Sequence, residues 1–223
     1  MLRELIHLAR HAPKTLALKR RLSQIELYDA VMHDADDAGF LAHRAWLARD
    51  VSGDVLEIGC GTGFMFSHFS TNARVRAIDI DDDFLAVARD RAARFSNIDV
   101  SRADARALPF PDASFDAVVA CLVFCSIPDA AQALHEAKRV LRPGGSLRLV
   151  EHVCSERPVA RALMHAADPI WLRLNEQGCH MDRDTVAMVR STFDRTDLVD
   201  QFQIYGRLLP AFPMVSIRAW KRS

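Results

Sequence analysis

Three glycines at alternate positions, Gly59, Gly61 and Gly63, mark the segment whose residues point most directly to ligand chemistry. They follow a short apolar run, so the sequence predicts a strand that ends in a tight loop where backbone can approach a ligand. A dinucleotide-binding loop has the spacing GxGxxG, but Phe64 takes the place of its third glycine. Glu57 lies two residues before the loop, where a carboxylate disfavours a pyrophosphate and favours a cationic group such as an ammonium.

Two acidic residues further along the chain extend this pattern. Asp79 ends the next predicted strand, and at the carboxyl edge of a sheet its carboxylate can accept two hydrogen bonds from a ribose diol. Asp104 follows the third predicted strand, where it can accept from an adenine amino group while the Ala105 N–H donates to a ring nitrogen. Nicotinamide oxidoreductases share the ribose-binding acid, so the order of these features matters more than any single one. Together they indicate S-adenosylmethionine, whose amino-acid end carries an ammonium.

Short apolar runs alternate with longer amphipathic ones, which is typical of βαβ units and a mostly parallel sheet. Seven strands are predicted near Asp54–Ile58, Arg74–Ile78, Ile98–Arg102, Phe115–Leu122, Ser146–Glu151, Asp197–Tyr205 and Met214–Trp220. Apolar spacings of three and four predict crossover helices over Thr62–Ser70, Asp82–Phe95 and Asp129–Leu141. Pro143, Gly144 and Gly145 then predict a turn into the fifth strand, with positive φ angles permitted at the glycines.

Length and composition favour one domain with an N-terminal extension. The sequence predicts a helical extension or cap over residues 1–50 and an α/β domain over residues 51–223, with residues 156–192 forming helical cover on the substrate side. The 29 acidic residues balance 29 basic ones, which gives no indication of nucleic-acid binding. The longest apolar run, residues 117–125, is far shorter than the roughly 20 residues of a membrane-spanning helix.

The cysteines indicate neither a disulfide framework nor a metal site. They form no CxxC pair and no His/Cys cluster at zinc-binding spacing, and their number is odd: Cys60, Cys121, Cys125, Cys154 and Cys179. We therefore expect reduced thiols, no metal and a cytoplasmic protein. Cys121 and Cys125, four residues apart, are interpreted as small buried residues on one strand face.

Four motifs resemble those of class I S-adenosylmethionine-dependent methyltransferases: "VLEIGCGTG", "AIDID", "RADARALPFPDASFDAVV" and "EAKRVLRPGGSLRLVEHV". They cover roughly residues 53–153. The resemblance implies an α/β, Rossmann-like, seven-stranded mostly parallel sheet with the last strand antiparallel and helices on both faces. It implies S-adenosylmethionine as methyl donor and S-adenosylhomocysteine as product. The residues that it assigns to donor binding are Glu57, Gly59, Cys60, Gly61, Gly63, Asp79, Ile80, Asp104, Ala105 and Cys121.

A narrower resemblance covers most of the remaining chain. "CLVFCSIPD", "VEHV", "DPIWLRLNEQGCHMDRDT" and the final "AW" are similar to the microsomal methyltransferase-like proteins of animals, which are alkyl-thiol methyltransferases. This implies an apolar thiol as acceptor. Those proteins carry an apolar N-terminal helix, whereas residues 1–22 here interleave apolar and basic residues. This segment is interpreted either as a peripheral membrane contact or as a helix that closes the donor pocket.

Methyl transfer from a sulfonium needs little assistance, because the leaving group is a neutral thioether and a thiol acceptor is already partly ionised near neutral pH. His152, directly after the fifth predicted strand, is the best candidate for a base or orienting group, and a structural role is its alternative. His165, Asp168, Trp171 and His180 are candidates for orienting the acceptor, with helix packing as the alternative.

Three other functions compete with thiol methylation. The first keeps the donor and changes the acceptor to a quinone, a phenol or a phospholipid amine. The second is a non-catalytic protein at a membrane surface, and the third is a nicotinamide oxidoreductase. The intact glycine loop and Asp79 disfavour the non-catalytic function.

Overall fold

A computed structural model describes residues 18, 21–175, 177–208 and 212–222. Its centre is a seven-stranded sheet with the strand order β3-β2-β1-β4-β5-β7-β6. The strands are β1 Gly53–Ile58, β2 Ala73–Asp79, β3 Ile98–Arg102, β4 Phe115–Cys121, β5 Leu141–His152, β6 Arg195–Gln203 and β7 Pro213–Trp220. Only β7 runs antiparallel to its neighbours, β5 and β6, which confirms the predicted Rossmann-like arrangement.

Helices cover the sheet on both faces. They are α1 Gln24–Ala35, α2 Leu41–Ala48, α3 Asp82–Ala92, α4 Ala130–Val140, α5 Pro158–Leu174 and α6 Thr185–Thr192. Aspartates cap the predicted crossover helices: Asp81 accepts from the first turn of α3, and Asp129 accepts from the first turn of α4. Helices α5 and α6 lie within residues 156–192, and a role of this segment as cover on the substrate side stays a prediction.

The predicted helix over Thr62–Ser70 is wrong. In its place lie turns and one 3₁₀ helix, Phe66–His68. The Gly63 N–H donates to the Cys60 carbonyl at 2.8 Å, a bond that closes a turn rather than a helical ring, and Gly63 has φ +89°. The apolar residues whose spacing suggested a helix, among them Phe66, are buried, but they reach the core from turns.

The fifth strand begins earlier than predicted. Leu141 already pairs with Phe115, and the register between β4 and β5 shifts before Ser146 pairs with Ala117. The segment predicted as a turn is therefore an irregular first part of β5. Its Gly144 has φ +77°, as the turn prediction allowed.

The N-terminal residues that the structure describes join the same core. Helices α1 and α2 are connected by a kink at Gly39, which has φ +110°. Leu47 and Ala48 of α2 are buried in the hydrophobic cluster on one face of the sheet. Most of the predicted membrane contact, residues 1–17 and 19–20, lies outside the described residues. No helix within the described ranges combines the length and the hydropathy needed to cross a bilayer.

Candidate active site

The glycine loop after β1 requires glycine on both conformational and steric grounds. Gly59 and Gly61 have φ +68° and +53°, a region that side chains rarely adopt. A Cβ added at Gly59 would lie 2.4 Å from Val123 Cγ2, and one at Gly61 would lie 2.8 Å from the Tyr28 hydroxyl. The loop is therefore packed from two sides, by the turn after β4 and by α1.

Asp79 connects this loop to the end of β2. Its Oδ2 accepts from the Gly61 N–H at 2.8 Å, and its Oδ1 accepts from the N–H groups of Ile80 at 2.7 Å and Asp81 at 3.1 Å. A carboxylate oxygen has two lone pairs, so Oδ2 retains one for a ligand hydroxyl. Beside it the apolar side chain of Ile80 is 53% exposed. A carboxylate next to an exposed apolar side chain fits a ribose joined to a flat base.

Glu57 is a buried acid with an unfilled acceptor. Its side chain is only 2% exposed, and its Oε2 has no hydrogen-bond partner among the described residues. Burial raises the pKa of this carboxyl to about 8, although the guanidinium of Arg44 acts in the opposite direction. A buried carboxylate oxygen that lacks a donor suits an incoming ammonium, as the sequence predicted for this position.

Asp104 is engaged by its own neighbour. The Arg106 guanidinium bonds both carboxylate oxygens, Nη2 to Oδ2 at 2.7 Å and Nε to Oδ1 at 3.0 Å, and lowers the pKa of this acid. Oδ1 also accepts from the Arg106 backbone N–H at 2.9 Å. Adenine recognition by Asp104 and Ala105 therefore remains a prediction, and an adenine amino group there would share the carboxylate with Arg106.

Helix α1, within the segment predicted as a helical extension or cap, lies over the glycine loop through side chains that the sequence did not single out. Asp29 accepts from the Thr62 hydroxyl at 2.7 Å and pairs with Arg91 of α3. The Tyr28 ring packs edge-on against Phe84 with centroids 4.8 Å apart. These contacts join α1 to both the loop and α3, so α1 forms one wall of the candidate donor site.

Arg44 of α2 places a buried positive charge near Glu57. Its guanidinium donates to Asp36 at 2.8 Å, to Cys121 Sγ at 3.3 Å and to Met32 Sδ at 3.2 Å. Only 3% of its side chain is exposed. Cys121, predicted to contact the donor, is thus also a partner of this guanidinium. Arg44 could not be predicted from the sequence, because its partners include Cys121, far along the chain.

The turn after β4 is held by Glu151, at the end of β5. Glu151 Oε1 accepts from the N–H groups of Val123 at 2.7 Å and Phe124 at 2.8 Å, and Oε2 accepts from the Cys125 N–H at 3.3 Å. Burial raises the Glu151 pKa to about 7, against the lowering effect of these hydrogen bonds. The turn begins at Leu122, whose φ of +59° is unusual for leucine.

Cys125 lies in this turn, so the interpretation of Cys121 and Cys125 as neighbours on one strand face is wrong. It instead meets His152 and Cys179: one ligand-type atom from each of the three lies within 4.8 Å of the others. Cys179 Sγ is 3.2 Å from His152 Nδ1. A hydrogen bond with Cys125, and then the neighbouring His152, lower the pKa of the Cys179 thiol against the opposing effect of burial. The same hydrogen bond, together with burial, raises the pKa of the Cys125 thiol.

His152, predicted as a base or orienting group, is 3% exposed at the end of β5. Its Nε2 has no hydrogen-bond partner within the part of the chain that the structure describes. The ring packs against Phe212, with centroids 4.6 Å apart. His152 is therefore a buried imidazole between the Cys125 and Cys179 thiols on one side and an aromatic ring on another.

The predicted acceptor residues divide into two groups. Asp168 is buried and accepts from the Met181 N–H at 2.7 Å, and its Oδ2 lies 2.9 Å from His180 Nδ1. His165 is 51% exposed and bonds Asp182 at 2.7 Å. Asp168 and His180 thus fix the loop between α5 and α6, whereas His165 lies nearer to solvent.

A partly open cleft of about 1230 Å³ lies between α5 and the last two strands. Most of its lining is apolar and includes Val153, Met164, Trp171, Phe212 and Met214. Trp171 borders the cleft and also donates from Nε1 to the Cys179 carbonyl at 2.9 Å. The cleft can hold an apolar molecule, and its lining adjoins the cluster through Val153, which follows His152, and through Trp171, which bonds Cys179.

Comparison with known proteins shows the family to which the chain belongs. Residues 56–149 match the family model described as "Methyltransferase domain". The chain is 34% identical over 151 residues to the thiol S-methyltransferase TMT1A of Homo sapiens, which is 65% of this chain and 61% of the human protein. It is 32% identical over 182 residues to the thiol S-methyltransferase TMT1B of Mus musculus, which is 78% of this chain and 73% of the mouse protein.

Relatives with other acceptors match at similar identity. The phosphatidylethanolamine N-methyltransferase of Cereibacter sphaeroides is 33% identical over 153 residues, or 67% of this chain and 72% of that protein. The fold matches the crystal structure of the YcgJ protein from Bacillus subtilis with a TM-score of 0.70 at 18% identity, over 82% of this chain and 98% of that one. The sheet order shows a Rossmann-like fold, and the relatives in sequence show a methyltransferase. The chain belongs to the S-adenosylmethionine-dependent methyltransferases.

Proposed function

We propose that this protein transfers the methyl group of S-adenosylmethionine to the sulfur of a small apolar thiol. The observation that carries the proposal is the apolar cleft next to His152, at the carboxyl end of β5. The glycine loop and Asp79 lie at the same edge of the sheet, which is where ligands of such α/β sheets bind. The names of the human and mouse relatives support a thiol as acceptor.

The donor is assigned to the edge formed by β1, β2 and β4. Glu57 Oε2 takes the ammonium of the methionine part, and Asp79 Oδ2 takes a ribose hydroxyl. Ile80 packs against the adenine, and Asp104 with Ala105 contacts its edge. Gly59, Cys60, Gly61, Gly63 and Cys121 shape the surface between these groups.

Positioning supplies most of the rate enhancement in this proposal. The acceptor sulfur attacks the methyl carbon, and the bond to the sulfonium breaks with its electron pair retained by S-adenosylhomocysteine. Holding the two sulfur atoms and the carbon in line is worth about 7–11 kcal/mol when water is excluded. The cleft residue Trp171 orients the acceptor, and Asp168 with His180 supports the loop that Trp171 contacts.

A phospholipid amine is the alternative acceptor, because the Cereibacter sphaeroides relative carries that activity in its name. Quinones and phenols are other acceptors for the same displacement. A larger headgroup or ring would also fit a cleft of about 1230 Å³. The acceptor chemistry must therefore be measured directly.

The test supplies deuteromethyl-labelled donor with three competing acceptors: an alkanethiol, a quinol, and vesicles of phosphatidylethanolamine. Mass spectrometry of the products should find the label in the thioether. Asp79→Asn should lose this product, whereas Asp83→Asn, which changes an exposed acid in the first turn of α3, should keep it. Label in the quinol ether or the lipid, with the thiol unchanged, would reverse the choice of acceptor.

A further inference from the structure

Cys125, His152 and Cys179 come from three different segments and meet at the carboxyl end of the sheet. Cys125 lies in the turn after β4, His152 ends β5, and Cys179 lies in the loop between α5 and α6. The first two are buried and the third is partly exposed. Two thiols and an imidazole are the donors that zinc prefers in proteins.

The separations fit a tetrahedral ion. Zinc–sulfur bonds of about 2.3 Å and zinc–nitrogen bonds of about 2.0–2.1 Å place neighbouring ligand atoms roughly 3.5–3.8 Å apart. Cys179 Sγ and His152 Nδ1 lie 3.2 Å apart, and all three donor atoms lie within 4.8 Å of one another. Changes of about 1 Å or less would therefore bring them to coordination distances.

Each ligand residue is fixed by contacts that do not use its donor atom. The Cys125 N–H donates to Glu151, and the Cys125 carbonyl accepts from the His180 N–H at 2.9 Å. The Cys179 carbonyl accepts from Trp171 Nε1, and its N–H donates to Asn175 Oδ1 at 3.1 Å. His152 is held by the pairing of β5 with β7. Preorganised ligands of this kind are a requirement of a metal site.

The ligand count leaves one position open. Structural zinc sites have four protein ligands, whereas catalytic sites have three and bind water or substrate in the fourth position. The cluster is also near the candidate donor site: the Val123 side chain packs against Gly59, and Cys125 is only two residues further on. Two residues span at most about 7 Å of backbone, so the Cys125 backbone lies within about that distance of Val123.

We propose that Cys125, His152 and Cys179 bind a zinc ion whose fourth position takes the sulfur of the acceptor thiol. This inference rests on the proposed thiol S-methylation and assigns His152 as a ligand rather than a base. A thiol that binds the ion loses its proton to solvent. The resulting thiolate attacks the methyl carbon with its electron pair, the bond to the sulfonium breaks, and that pair stays on S-adenosylhomocysteine. The neutral thioether product is a weaker ligand and dissociates.

The first experiment measures metal in the untagged full-length chain, purified without chelator and without air. Elemental analysis should find about one zinc per chain, and Cys125→Ser and Cys179→Ser should each lose most of it. Cys154→Ser, a buried cysteine outside the cluster, is the control for metal content and should keep its zinc. Protein that contains no zinc and gains none from added Zn²⁺, or a Cys125→Ser/Cys179→Ser variant that keeps zinc, would overturn the site.

The second experiment tests whether the bound metal ion takes the acceptor thiol, which is a separate question from whether the metal binds. Replacing zinc by Co²⁺ should give thiolate-to-cobalt charge-transfer absorption, and an alkanethiol should shift it without any methyl donor present. If the alkanethiol leaves the spectrum unchanged, the fourth position does not take the acceptor. If zinc-free protein methylates thiols at an unchanged rate, the zinc inference fails and the proposed function stands. If the zinc protein methylates only the quinol or the lipid, both the thiol acceptor and this role of zinc fail.

Discussion

The Gly61 backbone N–H donates a hydrogen bond of 2.8 Å to Asp79 Oδ2, so the glycine loop after β1 is fastened to the end of β2. These two strands are parallel neighbours, and their carboxyl ends meet at one edge of the sheet. The acid assigned to the ribose thereby also holds the loop assigned to the methionine part. A change at Asp79 is therefore expected to affect both halves of the donor.

Asp79→Ala should weaken the affinity for S-adenosylmethionine about 10- to 100-fold, because one or two charge-assisted hydrogen bonds are lost. Isothermal titration calorimetry measures the dissociation constant. Asp83→Ala is the matched control, since it removes an exposed carboxylate four residues away. Equal dissociation constants for Asp79→Ala and the unaltered protein would remove Asp79 from the donor site.

Gly59→Ala should abolish measurable donor binding and lower the melting temperature. The added Cβ would lie 2.4 Å from Val123 Cγ2, so the turn that ends near Cys125 must move. Gly178→Ala separates this clash from backbone strain: Gly178 has a similar φ of +66°, but its added Cβ would lie an ordinary 3.8 Å from the Ser126 carbonyl oxygen. In Gly178→Ala, backbone strain alone should lower the stability, and the affinity for the donor should be unchanged. Equal donor affinities for the two variants would contradict the packing argument.

Donor binding should release a proton at Glu57. Below pH 8 this buried carboxyl is mostly protonated in the free protein, because burial raises its pKa to about 8. A bound ammonium favours the carboxylate, so binding lowers this pKa and the proton leaves. Affinity should therefore rise between pH 6 and pH 7.5, by at most about tenfold per pH unit. The α-amino group of the donor stays largely protonated over this range.

Calorimetry in phosphate and in Tris detects the released proton, since the two buffers differ in ionisation enthalpy. Glu57→Gln keeps the size of the side chain but cannot ionise, so it should remove both the pH slope and the difference between buffers. A slope that persists in Glu57→Gln would assign the proton to another group.

Asp168→Ala should lower the free energy of unfolding by about 1–3 kcal/mol, because it leaves the partly buried Met181 N–H without its acceptor. Thermal denaturation measures the loss. His165→Ala, which removes a side chain that is 51% exposed, is expected to change stability much less. If the two variants have equal melting temperatures, Asp168 does not stabilise the loop between α5 and α6.

The sequence predicted the strands well because parallel strands in the centre of a sheet are continuous apolar runs between polar turns. Residues 115–121 illustrate this, since both faces of β4 are covered. The prediction of a helix over Thr62–Ser70 was wrong because Gly61 and Gly63 have positive φ angles. The chain therefore turns at these glycines, and the apolar residues face the core without forming a helix. Apolar spacing by itself could not separate these outcomes.

The two halves of the candidate site differed in how far they could be predicted from the sequence. Glu57, Gly59 and Asp79 lie at strand ends, where spacing along the chain indicates a shared edge. The cluster at His152 has no such signal, because Cys179 follows His152 by 27 residues and reaches it through the fold of α5 and its loop. The contact of α1 with the glycine loop is equally long-range, through Asp29 and Thr62.

The position of β7 between β5 and β6 affects how readily the protein aggregates while it folds. Ser146 pairs with Trp220, so the sheet is completed only when distant parts of the chain meet, and pairings of this kind form slowly. Until then β5 presents an open edge along residues that are buried in the finished sheet. Unpaired apolar edges recruit other chains. Substitutions that weaken β7 should therefore reduce the soluble yield through aggregation rather than produce a soluble protein with lower activity.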